Sequence, residues 1–188
     1  MGGSAVALAG QSGILADEDD LLALARIGAG DRRVPVALRP MSDHLRRGAL
    51  GAELEALLGA AATARARAYA PYSRFPVGAA ILAESGAVYA ACNVENAAFP
   101  VGTCAEAGAI AAMVSAGGRR IAAVLVVGEG AAVVTPCGAC RQRIREFASP
   151  ETPIHVAGPE GVRRTFRLDE LLPFSFGPDN LPGGEGAS

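Results

Sequence analysis

Cys137-Gly138-Ala139-Cys140 sets two thiols three residues apart. At the start of a helix such a pair can face one point, and the free N–H groups of the first turn soften the negative charge of thiolates. Taken alone the pattern is ambiguous. It fits a redox pair, half of a structural four-cysteine knuckle, part of an open catalytic metal site, or two core cysteines. Cys104 adds a third thiol at the start of an earlier helical stretch, and Glu106 follows it by two residues. Three thiolates would hold Zn²⁺ and leave the fourth tetrahedral position for water. Cys92 is the donor that would instead close a structural site. Zinc makes a water acidic enough to ionise near neutral pH, an effect that three thiolates oppose and two helix N-termini partly restore. Glu106 is not required as a ligand, so it is the candidate proton shuttle of a hydrolytic reaction; its bland alternative is a solvated helix carboxylate. The two histidines, His44 and His155, stay outside this set; His155, in the alternating Ile154-His155-Val156, reads as a surface or packing residue.

These groups can meet only if the surrounding elements bring them together. Leu50, Leu54, Leu57, Leu58 and Ala61 recur at helical spacing within Ala49–Tyr69, and Pro71 stops that helix. Val77–Ala83 and Ala87–Cys92 read as a hairpin around Glu84-Ser85-Gly86, followed by a loop over Asn93–Thr103. A helix is expected over Cys104–Ser115, although Gly108 weakens it by about 1 kcal/mol relative to Ala. Ile121–Val127 is a near-continuous apolar run, as expected for a strand covered on both faces. Thr135-Pro136 leads into a helix over Cys137–Phe147. Ile154–Ala157 and Arg163–Arg167 are strands whose short connection requires antiparallel pairing. The expected fold is a three-layer α-β-α sandwich around a mixed five-stranded sheet, in which successive helix N-termini share one edge and Cys104 can meet the pair from Cys137.

The 188 residues suffice for one ordinary domain. Residues 1–40, with the acidic run Asp17-Glu18-Asp19-Asp20, read as a flexible or loosely attached extension, residues 41–180 as the catalytic domain and residues 181–188 as a flexible tail. Seventeen basic against nineteen acidic residues give a net charge of −2, a poor platform for a nucleic acid, which binds largely through phosphate neutralisation. The start of the chain does not resemble a secretory leader, and no apolar run approaches the roughly 20 residues of a membrane span. A cytoplasmic protein with reduced thiols is the expectation.

Thr103-Cys104-Ala105-Glu106 and Pro136-Cys137-Gly138-Ala139-Cys140-Arg141-Gln142 resemble the zinc signature of the cytidine deaminases that act on free nucleosides. The resemblance extends to Tyr69-Ala70-Pro71-Tyr72-Ser73-Arg74-Phe75-Pro76-Val77-Gly78, to Cys92-Asn93-Val94-Glu95-Asn96 and to Leu171-Leu172-Pro173-Phe174-Ser175-Phe176-Gly177-Pro178, covering about residues 49–180. It implies one Zn²⁺ per subunit on Cys104, Cys137 and Cys140, with Glu106 moving protons. It further implies that Phe75 packs on the pyrimidine, that Asn93 and Glu95 hydrogen-bond the ribose, Glu95 at the 3′-OH, and that the Ala105 N–H orients the base. Phe176 would reach a neighbouring subunit's pocket in a homotetramer with shared active sites. The implied reaction converts cytidine and 2′-deoxycytidine to uridine and 2′-deoxyuridine with release of ammonia. A carboxylate at the 3′-OH leaves no room for a phosphodiester, in keeping with the acidic net charge.

Three positions depart from the family pattern. Ala107 stands where many three-cysteine relatives carry an arginine that offsets the thiolates, with Arg141 the nearest remaining cation; Ala98 stands where many have cysteine; and Phe174 adds an aromatic beside Phe176. The small Ala107 and Gly108 also suit a modified cytosine nucleoside of the blasticidin type. A non-enzymatic zinc-binding domain is the alternative from another class.

Overall fold

A computed structural model describes residues 43–177 and 180–182. The expected extension over residues 1–40 and most of the expected tail, residues 183–188, lie outside the described residues. The first helix, α1 (Asp43–Arg65), is followed by β1 (Gly78–Ala83), β2 (Val88–Cys92), a 3₁₀ turn (Phe99–Val101) and α2 (Ala105–Ser115). Then come β3 (Ile121–Val127), α3 (Gly138–Arg145), β4 (Pro153–Gly158), β5 (Gly161–Arg167) and the short α4 (Leu168–Leu171).

The five strands form one mixed sheet in the order β2-β1-β3-β4-β5. β3 and β4 pair in parallel and the other neighbours are antiparallel. The parallel pair requires a crossover, and α3 supplies it. On one face Leu57 and Ala61 of α1 pack on Ala80, Leu82, Ala123, Leu125, Val127 and Ala157. On the other, Ala105, Ala109, Ile110 and Met113 of α2 and Ile144 of α3 cover Ala79, Ile81, Val124, Val126 and Ile154. β1 is therefore buried along its whole length, as its apolar sequence requires.

α1 ends four residues earlier than its apolar pattern suggests. Arg67 and Ala68 donate to carbonyls only three residues back, and Tyr69 leaves the helix to bridge Val94, its N–H donating to the Asn93 carbonyl at 3.1 Å. The expected loop after β2 is likewise more ordered than its composition suggests. Val94 also bridges Thr103, and Phe99-Pro100-Val101 forms the 3₁₀ turn with proline in its first turn.

Glycine matters most where α1 crosses β1. A Cβ on Gly78 would stand 2.0 Å from the Ala61 carbonyl oxygen and 2.8 Å from the Arg65 N and Cβ. Gly78→Ala must therefore push α1 off the sheet, at an expected cost of about 1–3 kcal/mol. The melting temperature should fall by roughly 5 °C or more; an unchanged melting temperature would show that helix and strand are not held this closely.

Candidate active site

Cys104 and Cys137 are the N-cap residues of α2 and α3, each with an extended backbone (ψ 153° and 163°). An N-cap stands half outside its helix, so its side chain projects beyond the helix end while its carbonyl starts the hydrogen-bond ladder. Gly108 N–H donates to the Cys104 carbonyl at 3.2 Å and Arg141 N–H to the Cys137 carbonyl at 2.9 Å. Cys140, one turn into α3, faces the same point and is fully buried.

The ligand atoms of Cys104, Cys137 and Cys140 lie within 4.8 Å of one another, with 3.8 Å between the Cys104 and Cys137 Sγ atoms. A tetrahedral ion with Zn–S bonds of about 2.3 Å separates its sulfurs by about 3.8 Å, so the donor set fits zinc. Cys92, at the end of β2, does not join this cluster, and neither does a histidine, aspartate or glutamate among the described residues. The four-cysteine reading therefore fails on geometry.

The Cys140 thiol donates to Glu106 Oε2 at 3.4 Å, and Glu106 is only 4% exposed. Burial, followed by the negative charges of Glu106 and Cys104, pushes the Cys140 thiol far above the ordinary value of 9.0. Burial and the Cys137 charge also raise Cys104. Burial pushes Cys137 up as well, but hydrogen bonding to its thiolate, with contributions from the Cys140 backbone and the Cys104 thiol, leaves it below the ordinary value.

A cavity of about 190 Å³ opens beside the thiols, lined by Val77, Asn93, Cys104, Ala105, Glu106, Val126, Val134, Thr135 and Cys137. That is below the roughly 300 Å³ of a drug-sized pocket and suits a single heterocyclic ring. A wider space of about 510 Å³ shares Asn93 and Cys104 with it and is lined also by Tyr72, Glu95, Phe99 and Thr103. Tyr72 and Phe99 pack edge to face there, 5.9 Å between ring centroids.

Of the residues singled out in the sequence, Asn93 reaches both cavities, Ala105 and Glu106 the smaller and Glu95 the larger. Phe75 lies beside them through its backbone. Asn93 Nδ2 donates to the Phe75 carbonyl at 3.0 Å, and Asn93 Oδ1 accepts from Val77 N–H at 2.8 Å. Glu95 accepts from the N–H groups of Tyr72 and Ser73 at 2.8 and 3.2 Å; the Ser73 hydroxyl and these N–H groups outweigh burial and hold its carboxyl below the ordinary 4.5. Phe176 lines neither cavity. Its carbonyl accepts from Gln142 on α3 while its side chain is 60% exposed. His155 is a half-buried packing residue bonded to Thr165 Oγ1 at 2.8 Å; the side chain of His44 lies outside the described residues. Thr135, Val134 and Val126 were not expected in the site. The Thr135-Pro136 lead into the cysteine pair was the one signal pointing to them.

Arg141, the cation nearest the thiols in sequence, is used otherwise. Its guanidinium donates to the Pro136 carbonyl, the Leu171 carbonyl and Thr135 Oγ1, each at 2.8 Å, and so braces the approach to Cys137.

A family model described as the cytidine and deoxycytidylate deaminase zinc-binding region matches residues 52–156. The chain belongs to this zinc-binding cytidine deaminase family. A cytidine deaminase from Sporosarcina psychrophila is 42% identical over 129 residues, spanning 69% of this chain and 95% of that protein. One from Mycobacterium tuberculosis is 44% identical over 127 residues, 67% of this chain and 91% of that protein. The crystal structure of cytidine deaminase from Burkholderia pseudomallei superposes with a TM-score of 0.62 at 43% identity, covering 65% of this chain and 98% of that one. In this family member the described helices include none long and apolar enough to cross a membrane.

The raised Cys104 and Cys140 thiols must lose their protons to bind metal, so zinc binding is coupled to proton release and strengthens as pH rises. Calorimetric titration of the metal-free protein near pH 7, in buffers of different ionisation heat, should show about two to three protons released per zinc, with weaker binding at pH 6. Binding without proton release would mean that these thiols are not the ligands.

Proposed function

We propose that the protein hydrolytically deaminates cytidine and 2′-deoxycytidine, giving uridine or 2′-deoxyuridine and ammonia. The observation that carries this reading is the buried Glu106 carboxylate at the three-thiol cluster, on the wall of a cavity sized for one ring. When bound, zinc supplies an acidified water. Glu106 is the group that would accept a proton from the attacking water, deliver it to N3 as C4 gains the oxygen, and carry the second proton to the exocyclic amine, which leaves as ammonia.

The neighbouring residues divide the work of binding. Asn93 and the Ala105 N–H are suited to orient the base and sugar, and Phe75 to flank the pyrimidine. Glu95, kept ionised by its three donors, accepts from the 3′-OH in the wider space. A carboxylate there disfavours nucleotides and polynucleotides, which supports a free nucleoside. Phe176, its backbone anchored and its ring exposed, would complete a partner subunit's site in a homotetramer; exposed Phe99 and Val101 beside the wider space support such an assembly. Four free thiols suit the reducing cytoplasm, and residues 1–40 are read as dispensable for turnover.

Ammonia release should be measured with cytidine, deoxycytidine, cytidine monophosphate and an aminoacylated cytosine nucleoside. Turnover of the two free nucleosides supports the proposal, selective turnover of the last supports a blasticidin-type reading, and none from any, with zinc bound, defeats it. Glu106→Gln should retain zinc and lose about 10²–10⁴-fold in kcat. Glu95→Ala should raise KM for cytidine about tenfold or more and leave 3′-deoxycytidine nearly unaffected; equal losses on both would remove the 3′-OH contact. Because the Glu95 carboxyl lies below its ordinary value, its ionised form persists as pH falls, and KM should stay flat from pH 8 down to about 5 before rising.

A further inference from the structure

The smaller cavity opens at the end of the sheet where β1 and β3 diverge. Gly78 and Val127 are the last paired residues of these strands. Beyond them the chain leads on one side to Val77, Pro76 and Phe75, and on the other to Gly128, Glu129 and then Val134 and Thr135. Val77, Val126, Val134 and Thr135 all line the cavity, so its width depends on how far the two segments separate.

One side chain spans them. Arg65, the last residue of α1, donates from Nε to the Pro76 carbonyl at 3.2 Å and from Nη2 to Glu129 Oε1 at 2.5 Å. It belongs to none of the motifs that carry the family resemblance. Its side chain is 19% exposed and that of Glu129 is 53% exposed, so the guanidinium is held against the protein while its carboxylate partner faces water. The absence of a Cβ on Gly78 lets the end of α1 lie close enough for this reach. Pro76 is flanked by two groups already held by Asn93, the Phe75 carbonyl and the Val77 N–H. The Phe75–Val77 segment is therefore fixed at three backbone groups, and among the hydrogen bonds and ion pairs of the described residues it is Arg65 that ties it to the segment across the divergence.

We propose that Arg65 is a positioning residue for the base cavity, joining the Phe75–Val77 segment to the turn at Glu129 and thereby setting the cavity's width. The proposal rests on the cavity being the nucleoside site. A planar guanidinium with donors pointing in two directions suits the task, whereas lysine offers a single nitrogen and can serve one partner well. Loss of the tie should loosen ground-state and transition-state binding together. KM then rises and kcat is kept, because the thiols and Glu106 stand on α2 and α3 and not on these segments.

The zinc-loaded full-length protein and its Arg65→Met, Arg65→Lys, Glu129→Gln and Arg65→Met/Glu129→Gln variants should be compared in cytidine turnover and in uridine binding by calorimetry. Leu57→Ala serves as a control that destabilises α1 without touching the tie. For Arg65→Met we expect KM and the uridine Kd to rise about 5- to 20-fold with kcat within about twofold of wild type. Arg65→Lys should be intermediate, the double variant no worse than Arg65→Met, and Leu57→Ala should lower the melting temperature without raising KM. Unchanged KM and Kd in Arg65→Met, or a change matched by Leu57→Ala, would overturn the proposal. An inactive wild type would instead defeat the deaminase reading, and uridine binding would still decide the role of Arg65.

Discussion

The structure depends on two helix N-caps meeting at one point. Cys104 begins α2 and Cys137 begins α3, and their sulfurs stand 3.8 Å apart although 33 residues separate them in the chain. Nothing local brings them together. β3 runs between the two helices, and the parallel pairing of β3 with β4 makes α3 cross the same face of the sheet that α2 covers. The apolar residues that look merely structural, Val124, Val126, Ile144 and Met113, are thus what hold the metal ligands in place.

The same convergence governs the electrostatics. Three thiolates and Glu106 bring four negative charges to a site whose zinc offers two positive ones. Ala107 supplies no cation, and Arg141 spends its donors on two carbonyls and a hydroxyl. Those acceptors are neutral, so its positive charge persists beside Cys137, and the backbone adds to it. Each helix N-terminus carries roughly half a positive charge, and the backbone of Cys140 favours the Cys137 thiolate. The share contributed by the two helix ends depends on their aim. A single arginine could be replaced in place; a pair of helix dipoles cannot be redirected without moving the sheet beneath them.

This explains what could be read from the sequence. The strands, the hairpin and the helices follow from local periodicity, and β3 falls on its expected residues, Ile121–Val127, because its apolar run needs no partner to be recognised. The three ligands were legible because cysteine spacing and helix starts coincide. The end of α1 was not, since Tyr69 is drawn away by Val94, a residue in a distant loop. The Arg65 contacts were equally hidden, and the Thr135 wall was signalled only by its place just before Pro136 and the cysteine pair. They are side-chain bonds and cavity faces set by tertiary approach, and arginine or threonine in a sequence looks the same whether or not it makes them.

Two residues other than glycine adopt left-handed backbone, Arg74 at φ 56° and Phe174 at φ 53°, among the described residues. Each costs about 1–2 kcal/mol relative to an ordinary conformation, so the surrounding structure must hold it there. Arg74 N–H donates to the Ala70 carbonyl, which closes the turn that delivers Phe75 beside Asn93. After Phe174, Ser175 is held by Arg145 and the Phe176 carbonyl by Gln142, so the segment is pinned to α3 by polar bonds while both rings face outward. The backbone of this segment is thus fixed by α3 while its two aromatic rings stay exposed on this subunit.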